Sequence, residues 1–143
     1  MTDPHGLDRF VSAQNQADTF ATAVGELRAG HKRSHWMWFV FPQIAGLGQS
    51  PISRRYAISS LDEAKSYLSH PVLGPRLIDC ARVVAGLGSD SAEEVFGGID
   101  ALKLRSSMTL FARADPRNPV FGEVLDAYFG GEPDPATLRL LGA

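Results

Sequence analysis

The chain has 143 residues, of which 44% are hydrophobic, and 14 Lys+Arg against 16 Asp+Glu give it a net charge of −2. That supplies one apolar core and is too little for two ordinary domains, while the eight Phe, three Tyr and two Trp exclude a mostly disordered chain. The balanced charge gives no strong nucleic-acid signal, and no apolar run reaches the roughly 20 residues of a membrane span.

Met1 to Phe10 lacks an apolar secretion core, and the single Cys80 has no internal disulfide partner, so a soluble cytoplasmic protein is expected. In chain order, Leu7, Phe10 and Val11 fall at helical spacing. Asp18 is placed to cap a second helix with the stripe Phe20, Val24 and Leu27, ending before Gly30. Trp36 to Phe41 is a compact apolar run whose period is ambiguous; a short helix or irregular buried segment is preferred over a strand. Gly46, Gly48 and Pro51 predict a loop. Ser60-Leu-Asp-Glu63 is a capping-box pattern ahead of Leu61, Ala64 and Leu68.

Pro75 suits a first helical turn, after which Leu77, Cys80, Ala81 and Val84 form a stripe ending near Gly86. Cys80 therefore reads as an inert core thiol. Ser91-Ala-Glu-Glu94 opens a short helix, Gly97-Gly98 breaks it, and Ile99 to Ala114 is the longest helix. Asn118-Pro119 and Asp134-Pro135 open helices ending near Tyr128 and Leu141. No series of alternating strands appears. The expectation is an all-α single domain over residues 1–143, with about six to eight helices, several short, and a flexible 1–5. Its core should include Phe10, Phe20, Leu27, Leu77, Val84, Met108 and Phe111.

The stretch Arg33-Ser-His-Trp-Met-Trp-Phe-Val-Phe-Pro-Gln43 places four aromatic rings between Trp36 and Phe41. Core packing explains large rings, but His35, Gln43 and the indole N–H groups need polar partners when buried. The competing reading is an aromatic wall on which His35 and Gln43 orient a planar ligand. On the long helix, spacings of three and four put Asp100, Lys103 and Ser107 on one narrow arc. Leu104, Met108 and Phe111 flank that arc on one side, Ile99 and Leu110 on the other, leaving Leu102, Arg105, Thr109 and Arg113 towards solvent. A covered Lys103 forms an ion pair with Asp100 or lines a cleft and binds phosphate or carboxylate.

His31 and His35 have i,i+4 spacing, but Gly30 precedes them and no Glu fills the general-base slot, so no metal site is predicted, and no cofactor. Ser106-Ser107 has no His and acid that sequence alone brings to it, and Gly46-Leu-Gly48 lacks a dinucleotide fingerprint. Arg54-Arg55-Tyr56 offers an anion contact beside a ring, or a solvated surface pair.

Several blocks together resemble a bacterial family, domain of unknown function 1810. They are Arg33 to Gln43, Tyr56-Ala-Ile58, Leu61-Asp-Glu-Ala64, Tyr67 to Gly74, Arg76-Leu77, Val95-Phe-Gly97, Asp100, Lys103 to Phe111, Phe121, Leu125 and Tyr128. The resemblance implies a compact, mainly α-helical domain and transfers no activity. The order of the Lys103 to Phe111 block, Phe121, Leu125 and a terminal helix is also similar to the NADAR family, helical hydrolases of ADP-ribose-type N-glycosides.

From these residues the expected function is binding of a small molecule or peptide in a cleft between the 33–43 segment and the Lys103 helix. The candidate ligand-binding residues are His35, Trp36, Trp38, Gln43, Arg55, Tyr56, Asp100, Lys103 and Ser107. The alternative is a hydrolase of a nucleotide or ADP-ribosyl N-glycoside, with Lys103 and Arg55 on phosphate and Asp100 as acid/base. Nothing in the pattern specifies an oligomeric state.

Overall fold

Three of the helix starts written into the sequence are made by the side chains expected to make them. In a computed structural model describing residues 3, 5–89 and 91–142, the Ser60 hydroxyl accepts from the Glu63 amide, Ser91 from Glu94, and Asp134 from Thr137. Each satisfies a first-turn N–H that the helix itself leaves free. The described residues form ten α-helices and one 3-10 turn, with no strand; an isolated parallel bridge joins Ile44 to Ile58. The helices are α1 (Asp8–Asn15), α2 (Thr19–Arg28), α3 (Met37–Val40), α4 (Pro51–Arg55) and α5 (Leu61–Ser69). They continue as α6 (Leu73–Ala85), α7 (Ala92–Phe96), α8 (Gly98–Ala114), α9 (Val120–Phe129) and α10 (Pro135–Leu141). The all-α expectation holds. No helix among the described residues is long and apolar enough to cross a membrane.

Helix α8 is the centre of the packing. It meets α5, α7, α9 and α10, while α6 packs on α2, α5 and α9. Leu27, Leu77, Val84, Met108, Phe111 and Phe10 are buried in one continuous core with Tyr67 and Phe121. Phe20 departs from expectation: it is half-buried at the core edge, with the Arg76 guanidinium stacked 4.6 Å from its ring centre. Cys80 is buried as expected, and burial pushes its thiol up to about 12.

Of the ten helices among the described residues, seven run for seven residues or more and α3, α4 and α7 are short, in keeping with the expected six to eight with several short. Several local expectations need correction. The Gly46 to Pro51 loop ends earlier than expected. Ser50 caps α4 with Pro51 at its first position, a start signal hidden by the neighbouring glycines. Asp18 stands at the start of α2 but makes no side-chain cap, because its backbone is left-handed (φ 57°). Helix α6 begins at Leu73, ahead of Pro75, and the His70 Nδ1 accepts from the Val72 and Leu73 amides. Thr109, expected to face solvent, is buried because α10 covers it: its hydroxyl donates to the Arg105 carbonyl and accepts from the Asp134 amide. Ile99, expected to flank the core, is 74% exposed because it lies on the open side of the first turn of α8, whose other side is buried at Ala101. In the 1–5 segment, Asp3 accepts from the Leu7 and Asp8 amides and so caps the entry to α1; residues 1, 2 and 4 lie outside the described residues.

Candidate functional site

Glu26, near the end of α2, organises the aromatic segment. Its carboxylate accepts the Arg33 and Ser34 amides at 2.7 and 2.9 Å, the Ser34 hydroxyl at 2.6 Å and the Trp36 indole N–H at 3.0 Å. Partial burial raises its pKa, but these hydrogen bonds outweigh burial and bring the carboxyl from 4.5 down to about 2. The same end of the segment is also tied by the Lys32 amide, which donates to the Val95 carbonyl of α7 at 2.7 Å. With its entry fixed, the chain turns through α3 and presents Trp38 to α8.

Across from it, α8 begins where Gly97 leaves α7 with φ 83°, a backbone that favours glycine. Asp100, in the first turn of α8, bonds two ammonium groups: Lys32 Nζ lies 2.7 Å from Oδ2 and Lys103 Nζ 3.3 Å from Oδ1. The Lys32 side chain is only 6% exposed and also donates to the Ser34 carbonyl. Lys103, 20% exposed, sits 4.2 Å from the Trp38 ring centre. Pairing and a ring face together offset the desolvation of these charges.

Trp38, Ile99 and Lys103 stand between two cavities and line both. The smaller, about 370 Å³, is bounded by Lys32, His35, Gly97, Gly98 and Asp100. The larger, about 420 Å³, is bounded by Gln43, the Leu47 to Ser50 loop, Ser53, Leu102, Ser106 and the start of α10 at Asp134 and Ala136. Gln43 is held there by its own backbone, whose carbonyl accepts the Ile58 amide at 2.8 Å. Leu102 is 65% exposed on the same rim as Ile99. The result is a two-lobed cleft: the smaller lobe holds Lys32 and Asp100, the larger sets Asp134 among neutral polar and apolar groups, and Lys103 lines both.

His35, Trp38, Gln43, Asp100 and Lys103 therefore meet at this cleft. The other four candidates do not. Trp36 is buried and packs edge-on to Phe96, with its N–H taken by Glu26. Tyr56 packs edge-on to Phe39, 4.8 Å between ring centres, and Arg55 lies over the Tyr56 ring; neither lines the two lobes. Ser107 is buried one turn below Lys103, where α5 and α9 cover the helix, and Ser106 takes the cleft position instead, bonded to Thr137 Oγ1 at 2.8 Å. His31 and His35 lie in the non-helical segment between α2 and α3, so the i,i+4 helix argument does not apply to them. Among the described residues no cluster of three or more His, Cys, Asp or Glu side chains is arranged to hold a metal.

Sequence reasoning missed Lys32 and Glu26. Both partner residues that are distant in sequence or lie on irregular backbone, where no period relates one position to the other. A signal was available only for Glu26: an acidic residue in the last turn of a helix, just before a polar-aromatic segment with free amide and indole donors.

No curated protein matches the chain. A crystal structure of the conserved hypothetical protein Rv1873 from Mycobacterium tuberculosis is similar to it at 55% identity over 99% of each chain, with a TM-score of 0.94. The family described as "Protein of unknown function (DUF1810)" matches residues 4–141. With nearly its whole length inside that match, the chain belongs to this family.

Proposed function

We propose that this protein binds a small molecule in the two-lobed cleft, with Trp38 and Lys103 as the wall that both halves of the ligand touch. The observation that carries this reading is the shared lining: a half-buried aromatic ring and a charged side chain face both cavities from between them. Each lobe falls within the size range of small-molecule sites, and convergent polar groups beside exposed apolar ones are characteristic of such sites. Ile99 and Leu102, at 74% and 65% exposure, supply apolar surface that an occupant would cover.

The hydrolase alternative receives less support. Both Asp100 carboxylate oxygens are engaged by ammonium groups, which leaves neither free to act on a glycosidic bond. Arg55 lies off the cleft, so the phosphate contact assigned to it lapses.

The test is a metabolite panel read by thermal shift on the parent, Lys103→Met and Gln43→Ala. A ligand at ~100 times its Kd adds about 2.7 kcal/mol to the parent. Lys103 is partly exposed and Asp100 keeps Lys32, so Lys103→Met should cost no more than about 1 kcal/mol in the absence of ligand. Loss of the ligand shift in both variants, with the fold retained, is the expected result. A full shift in both variants, or no parent shift across the panel, contradicts the reading.

A further inference from the structure

Resting on the reading of the cleft as a ligand site, we propose that its smaller lobe is an oxyanion subsite that takes a phosphate or carboxylate group of the ligand. Two ammonium groups, Lys32 and Lys103, reach this lobe and share a single carboxylate, Asp100. The lining thus carries an excess of one positive charge before His35 is considered, in a protein whose overall charge is −2. An excess charge in a partly enclosed, partly desolvated site has lost some of its hydration and is stabilised by an anion that replaces it.

Neither ammonium is saturated. An ammonium has three N–H donors. Lys32 spends two, on Asp100 Oδ2 and the Ser34 carbonyl, and otherwise lies 5.1 Å from the Trp36 ring centre. Lys103 spends one on Asp100 Oδ1 and otherwise lies against the Trp38 ring. At least one donor on Lys103 therefore remains for an oxygen in this lobe, with the Lys32 ammonium adding its charge behind it. The same wall includes Gly98 and Ile99, the first residues of the 17-residue α8, and no side chain caps that helix at Gly97. Its positive end therefore adds to the lysines rather than competing with them. The larger lobe, where Gln43 and Leu102 stand beside Asp134 and Lys103, carries no excess positive charge and fits the non-anionic remainder of the same molecule.

Inorganic phosphate and acetate, titrated at constant ionic strength against chloride, test the subsite by backbone amide NMR. Saturable shifts of the Gly97, Gly98 and Ile99 amides are expected with at least one of the two anions, and which of them binds more tightly separates a phosphate site from a carboxylate site. Lys103 is the position to vary, because Lys32 also holds the fold. Lys103→Met should weaken the apparent Kd about tenfold or more, while Lys103→Arg keeps the charge and restores most of the binding. Non-saturable shifts with both anions, or an unchanged Kd in Lys103→Met, overturn the proposal. If the metabolite panel returns only uncharged ligands that perturb Gln43 and Leu102, the cleft stands and the oxyanion subsite falls. If anions bind here but no metabolite is found to occupy the larger lobe, the subsite stands and the two-lobed reading falls.

Discussion

Trp36 and Trp38 are two positions apart and meet opposite environments. The Trp36 N–H is bound by Glu26 inside the core, whereas the half-buried Trp38 ring lines the cleft and its Nε1, itself buried, has no partner among the described residues. Glu26 makes that difference, because its carboxylate fixes the turn that sends one ring inward and the other out. Its folded-state value of about 2 lies below the ordinary 4.5, so its stabilisation is fully present above about pH 4.5 and is lost as the pH falls towards 2. Glu26→Gln should therefore destabilise the protein at neutral pH by ~1–2 kcal/mol, allowing for the partial exposure of the group. Denaturant unfolding of parent and variant should show that gap closing as the pH is lowered from 5 to about 2. A gap independent of pH would mean that the carboxylate charge does not anchor the segment.

At the scale of elements, legibility followed locality. The Ser60, Ser91 and Asp134 caps were readable because the cap and its amide are three residues apart. Helix α4 carries the same kind of signal at Ser50-Pro51, yet the glycines before it point to continuous loop. The face of α8 was only half readable: its period puts Asp100, Lys103 and Ser107 in line, but the depth of each depends on which helices cross it, so Ser107 is buried while Asp100 and Lys103 stay partly exposed. The junction of α5 and α6 depends on a close approach that no propensity predicts. A Cβ at Gly74 would collide with the backbone carbonyl of Leu68, an atom that cannot rotate away. Helix propensity alone favours Ala over Gly by up to about 1 kcal/mol. The collision reverses that sign, and Gly74→Ala should cost ~1–3 kcal/mol in equilibrium unfolding. A stabilised variant would show that the two helices can separate without cost.

For the whole molecule, the all-α architecture was legible because amphipathic periods and caps recur along the chain. The cleft was legible in part. His35, Trp38, Gln43, Asp100 and Lys103 came together from two segments, each with polar groups set among large apolar ones. Trp36, Tyr56 and Ser107 share the same composition but were drawn into packing, and Lys32 was invisible because only the folded chain sets it beside Asp100. The two indole N–H signals give the most direct measurement of the central claim, since one belongs to the core and the other to the cleft wall. On adding a ligand found by thermal shift, the Trp38 indole resonance should move saturably while that of Trp36, held by Glu26, stays nearly fixed. Movement of Trp36 alone, or of neither, would contradict binding in the cleft between the 33–43 segment and α8.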